Sequence, residues 1–246
     1  MNESSHWKTI EEGLRGISLP SLTPSVPGPV EERAEALVQW AITMYAYSAI
    51  AHVRKILAGL VILADAGNTP AADVICRHVF EWAAGACYVE RKVGQYAKEQ
   101  KWKAASDLLF QISGGNMWLQ NHGHKYDADP IQLEAPNPVR ISKLVEAYEK
   151  HQVEQLGEGD AKDAYGFLSE HSHANGACLR QYQEIDGWRM SFVDPPPSGP
   201  RHINRPTLEW LVFIHGILAL AKEDVVRMQV HDILAKTVLP AQAIPQ

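Results

Sequence analysis

The stretch TPAADVICRHVFEWAAGACYVERKV, residues 69–93, decides the fold. Ala71, Ile75, Val79, Trp82, Ala86 and Val89 recur every three or four residues and form one stripe of a helix from Ala71 to about Val93. The opposite side carries Cys76, Phe80, Ala84 and Cys87, so the helix is apolar nearly all round and is expected to be covered on both faces. Within it, Asp73, Arg77 and Glu81 follow one another at i, i+4 and i+8, with Tyr88 further along the same side. Ion pairs on an open helix face contribute only a few tenths of a kcal/mol each. Charges set among Cys76, Phe80 and Cys87 are expected to be partly buried, and burying charge is costly enough to imply a purpose.

Upstream, helical patterning begins at Glu31 and runs about 36 residues to Asp65-Ala-Gly-Asn-Thr-Pro70. Gly67 and Asn68 suit a helix end, Thr69 the cap of the next helix and Pro70 its first turn. So long a helix predicts a kink near Gly59 or a spine for the remaining helices. Residues 1–30 read as an N-terminal arm, with a short helix over Trp7–Leu14 and then Pro20, Pro24, Pro27 and Pro29 at a spacing that forbids helix.

Downstream, a third helix spans about Tyr96–Ile112, a loop rich in Gly, Pro and Asp covers 113–139, and helices resume at Arg140–Gln155 and Asp160–Ala177. The Asp186-Gly187 turn between β-favouring residues predicts a small hairpin near 184–193. After Pro195–Pro197 and Pro200, a last helix runs from about Thr207 to Thr237. The expected architecture is all-α: a bundle of about six main helices in a single domain over 31–240, plus the small β-hairpin.

The chain has 23 Lys+Arg against 29 Asp+Glu, a net charge of −6, which argues against coating nucleic acid by charge alone. Cys76, Cys87 and Cys178 are odd in number and lack CxxC spacing, so they read as small buried hydrophobes in a reducing compartment. The polar start, with neither a basic nor an apolar run, points to a cytoplasmic protein. The apolar run Ala36–Ala64 is broken by His52, Arg54 and Lys55, and Leu208–Ala221 carries Glu209 and His215. Both are expected to be core helices, with no membrane partner.

The second chemical constellation is Tyr165-Gly-Phe-Leu-Ser-Glu-His-Ser-His173, where Tyr165, Ser169 and His173 stack along one helix face. Such a set suits acid–base work with His173 as the base, or equally a hydrogen-bonded helix seam. His171 points elsewhere, two positions from His173. His122, His124, Asp127 and Asp129 are metal-ligand types without a third fixed ligand, and the Glu170-x-x-His173 half-motif has no second copy, so neither metal nor cofactor is expected. Nucleotide-binding glycine loops, the nucleophile elbow and His-Glu-x-x-His are all missing.

The helix segment Ala72–Glu81 with Arg77-x-x-x-Glu81, and the later Tyr165-x-x-x-Ser169-x-x-x-His173, resemble a family of bacterial all-helical proteins of unknown function. That family is distantly similar to the HEPN group, many of whose members are metal-independent ribonucleases of toxin–antitoxin and phage-defence systems. The resemblance implies RNA as partner, a homodimer, His173 as acid or base, Arg77 on the phosphate, Glu81 orienting Arg77, and Tyr165 and Ser169 positioning substrate. The usual Arg–His pair of that group lies on one helix and is most nearly approached at Arg227–His231. Arg189, Arg201, His202 and Arg205 would supply a local basic patch. Two other readings use the same residues: a non-enzymatic helical protein whose Arg–Glu–His network fixes helix register, and a small-molecule enzyme built in the bundle core.

Overall fold

The computed structural model describes residues 6–21, 34–114, 139–172, 183–186, 189–192 and 204–242. It is an all-α assembly of eight helices among those residues: α1 (His6–Gly16), α2 (Ala34–Asp65), α3 (Thr69–Lys98), α4 (Trp102–Gly114), α5 (Ile141–Leu156), α6 (Ala161–Ser172), α7 (Asn204–Leu220) and α8 (Asp224–Gln242).

The helix apolar on both faces is where the pattern put it. α3 packs against α2, α4, α5, α6 and α7, and Val79, Ala83, Ala84, Ala86, Cys87, Val89 and Val93 are all sealed from solvent. This central helix is therefore the spine, a place the sequence had offered to the longer α2. α2 runs unbroken for 32 residues and is long and apolar enough to cross a membrane by length and composition. In this structure it lies in the helical body, with Val38, Ile42, Ile50, Val53, Leu57 and Leu60 buried against α1, α3, α4 and α7.

The turn from α2 into α3 follows the sequence signals, with one change. Gly67 adopts φ +67, and the amide of Asn68 reaches back to the Leu63 carbonyl. The cap is Asn68 rather than Thr69: its Oδ1 accepts the Ala71 amide at 3.3 Å, ahead of Pro70 in the first turn. Gly157 at φ +80 ends α5.

Three other boundaries differ from expectation. Eight helices stand where six main ones and the short arm helix were expected, because the last one divides at Ala221–Glu223, around Lys222 at φ +57. Gln100 at φ 55 likewise extends α3 to Lys98 and starts α4 at Trp102. Residues 6–16, read with the arm, form α1, whose Trp7, Ile10 and Leu14 are buried against α2, α7 and α8. The amide of Trp7 donates to Asn204 Oδ1, and that of Ser18 to Gln229 Oε1.

The expected hairpin is not supported as part of the fold. Its short backbone pairing of Gln183–Asp186 with Arg189–Phe192 packs against no described helix to any substantial extent. The proline-rich part of the arm from residue 22 to 33, and the loop bearing His122, His124, Asp127 and Asp129, lie outside the described residues.

Candidate functional site

Arg77 and Glu81 stand one turn apart on α3, and α6 crosses them so that Tyr165 meets both. Arg77 Nε donates to Glu81 Oε1 at 3.2 Å, and Arg77 Nη2 donates to the Tyr165 hydroxyl at 3.1 Å. That hydroxyl in turn donates to Glu81 Oε1 at 3.2 Å. The guanidinium carbon lies 5.4 Å from the Tyr165 ring centre, within cation–π range. The ring also packs on Phe80, which reaches Tyr148 of α5 on its other side. Three of the residues singled out in the sequence thus form one closed triangle. Ser169 lies one turn beyond Tyr165 on α6, half-buried, while His173 is outside the described residues.

The triangle is only half sealed: the side chains of Arg77 and Glu81 retain 24% and 27% exposure. Glu81 also has a second set of neighbours that the sequence did not reveal. His78 Nδ1 approaches its Oε2 at 3.5 Å, and His52 Nε2, from α2, faces His78 Nε2 at 3.2 Å. His52 rests against Trp82, ring centres 5.1 Å apart. Burial opposes the charge on Glu81, yet the hydrogen bond from His78, the Arg77 charge and the Tyr165 hydroxyl together hold the carboxyl below its ordinary value. His52 is pushed below its ordinary value, first by burial and then by His78 and Lys55. The i, i+3 spacing of His78 and Glu81 was visible in the sequence; His52, 26 residues earlier, was read only as an interruption of an apolar run.

Glu81 and His78 stand at the wall of an open cleft of about 880 Å³ between α2, α3, α4 and α5. Trp40, Met44 and Tyr45 of α2, Trp82 of α3, Phe110 of α4 and Leu144 of α5 make most of its surface apolar, with Ser48 and Ser106 as further polar groups. The indole N–H of Trp40 is buried there without an acceptor among the described residues. Along α2 the lining runs from Leu37 to Ser48, roughly 16 Å of helix axis.

A second polar cluster lies on the other side of α3's partners. Tyr148, fully buried on α5, donates to Glu209 Oε2, and Arg205 Nε donates to Glu209 Oε1 at 2.9 Å. Arg205 also pairs with Asp160 at 3.2 Å, so this arginine of the expected basic patch is bound to two carboxylates. Arg201 and His202 are outside the described residues. Arg227 pairs with Asp224 at 2.7 Å, and His231 one turn later is exposed. Among the described residues no group of three or more His, Cys, Asp or Glu is arranged to hold a metal ion.

Compared with known protein families, with curated proteins and with solved structures, the chain matches none.

Proposed function

We propose that this protein binds a small, ring-bearing, largely apolar molecule in the cleft between α2, α3, α4 and α5. The observation that carries the reading is the cleft itself. A volume of about 880 Å³, walled by Trp40, Tyr45, Trp82 and Phe110 with a few convergent polar groups, is the usual build of a small-molecule site. Glu81 and His78 at the wall favour a ligand with a hydrogen-bond donor. Apolar walls and an acidic group at the rim suit a compact neutral molecule better than a polyanion.

Titration of the full chain with Nile red, a neutral ring-bearing dye, tests this. Binding that enhances dye fluorescence is expected for the native chain and is lost in Ser106→Trp, which puts a large side chain into the cleft from an exposed position on α4. Equal enhancement by both proteins would overturn the reading.

A second reading, metal-independent cleavage of RNA by a HEPN-like homodimer, is favoured by one observation: Arg77, Glu81 and Tyr165 meet. It needs His173 as acid or base and Ser169 beside the substrate. RNA incubated with the native chain and with His173→Ala decides it; equal cleavage by both, or none by either, removes it. If the triangle only fixes helix register, the protein is non-enzymatic at this place.

A further inference from the structure

The two facing imidazoles carry more chemistry than a ring contact requires. Ring nitrogens 3.2 Å apart form a hydrogen bond only when one bears a proton and the other a lone pair. Glu81 Oε2, 3.5 Å from His78 Nδ1, draws the His78 proton to that nitrogen. Neutral His78 then presents the Nε2 lone pair, and His52 fills it by donating its Nε2–H. Arg77 and Tyr165 both hold Glu81 Oε1, so the carboxylate is fixed with Oε2 turned to His78. This is the order of groups that makes an imidazole a base once a ligand takes the place of His52: a carboxylate behind one nitrogen and a lone pair on the other.

We propose that His78 is the acid–base residue of the cleft, oriented by Glu81 and capped by His52, and that the molecule bound is a ring-bearing weak acid of the phenol or enol class. The proposal rests on the cleft being a ligand site. His78 lies on the cleft wall and its side chain is 48% exposed, and a bound molecule that reaches Nε2 takes the place of His52 there. The acid's O–H bond breaks with its electron pair left on oxygen, and an N–H bond forms at His78 Nε2. The imidazolium is then compensated by Glu81 behind it and by the new oxyanion in front. The proton returns to the same oxygen or, for an enolate, to its carbon, so no further reactant is consumed. The charged and titratable groups around the pair are Lys55 from α2, Arg77 and Glu81 from α3 and Tyr165 from α6. Lys55 disfavours positive charge on His52, which keeps that ring a neutral donor. The 3.5 Å approach of His78 to Glu81 is loose for a hydrogen bond and is expected to tighten once positive charge develops on the ring.

The test uses the full chain and 4-nitrophenol, whose absorption separates the phenol from the phenolate. Below the probe's own pKa, the native protein is expected to bind it and generate the phenolate band. His78→Gln binds it as the neutral phenol, and Ser106→Trp does not bind it. A probe bound to the native protein as phenol overturns the proposal and leaves the cleft as a ligand site. No binding to the native protein overturns both. Ring-nitrogen NMR of the free native protein gives an independent check: His78 is expected as the Nδ1–H tautomer and to shift to Nε2–H in Glu81→Gln. An Nε2–H tautomer in the native chain refutes the assignment.

Discussion

Removing one hydroxyl, by Tyr165→Phe, tests whether the α3–α6 triangle is a working unit. The hydroxyl accepts from Arg77 Nη2 at 3.1 Å and donates to Glu81 Oε1 at 3.2 Å. A hydrogen bond to a charged group contributes about 1.5–3 kcal/mol. Two such bonds do not simply add here. Arg77 and Glu81 keep their direct contact at 3.2 Å, and their side chains, about a quarter exposed, recover part of the loss from water. The expected destabilisation is therefore about 1–2 kcal/mol, measured by urea unfolding at pH 7 with an unchanged denaturant slope. Pairing the change with Glu81→Gln gives a double-mutant cycle, in which groups sharing one network should show a coupling of at least about 0.5 kcal/mol. The acid dependence has a definite sign. Because the folded protein holds the Glu81 carboxyl below its ordinary value, the contribution is fully present above about pH 4.5 and is lost as pH falls through the lower folded value. The gap between native and Tyr165→Phe proteins should therefore narrow at strongly acid pH. Additive single changes, or a gap that widens in acid, would refute the geometry.

Other consequences are equally open to measurement. Leu14→Ala in α1 empties a fully buried site and is expected to cost about 2–5 kcal/mol in unfolding free energy; a cost below about 1 would mean that α1 is a detachable arm. Gly13→Ala places a Cβ 2.6 Å from Ile233 Cγ1, so overpacking of about 1–3 kcal/mol should exceed the helix-propensity gain. Gly166→Ala on α6 meets open space and should stabilise by about 0.5–1 kcal/mol, so the two glycine changes should move thermal melting in opposite directions. Tyr148→Phe leaves Glu209 Oε2 with only the 3.4 Å contact from Gln152 and should cost about 1–3 kcal/mol in the same unfolding assay.

The helical class and the central helix were legible because α3 declares itself twice, through apolar residues on both faces and through Gly67, Asn68 and Pro70 at its start. The breaks at Gln100 and Lys222 were not legible. Both residues take a left-handed backbone without being Gly or Asn, so no local signal announces them, and only the packing of the flanking helices fixes the turn. α1 was misplaced for a related reason. A single amphipathic helix of about three turns before a run of prolines looks like a tail until its partners on α7 and α8, some two hundred residues away, are known. At the site, Arg77, Glu81 and Tyr165 were found from i, i+4 spacing and side-chain chemistry. His52 was not, because its meaning depends on α2 lying beside α3 in one particular register. The cleft is likewise a property of four helices together, and no segment of the chain carries its signature alone.

The seam between α1 and α8 sets an order of events. The Ser18 amide waits for Gln229, 211 residues later, and the Trp7 amide for Asn204, 197 residues later. Closing a loop of that length adds only a few kcal/mol of chain entropy, because the cost grows with the logarithm of length. In time, however, the separation matters: on the ribosome α1 is made well before α7 and α8, and until they emerge α2 is the only one of its three helical partners it can meet. Its apolar face of Trp7, Ile10 and Leu14 is then only partly covered, by α2, through most of synthesis. A helix made before two of its partners is thus among the last to be fully seated, and it joins the two ends of the fold.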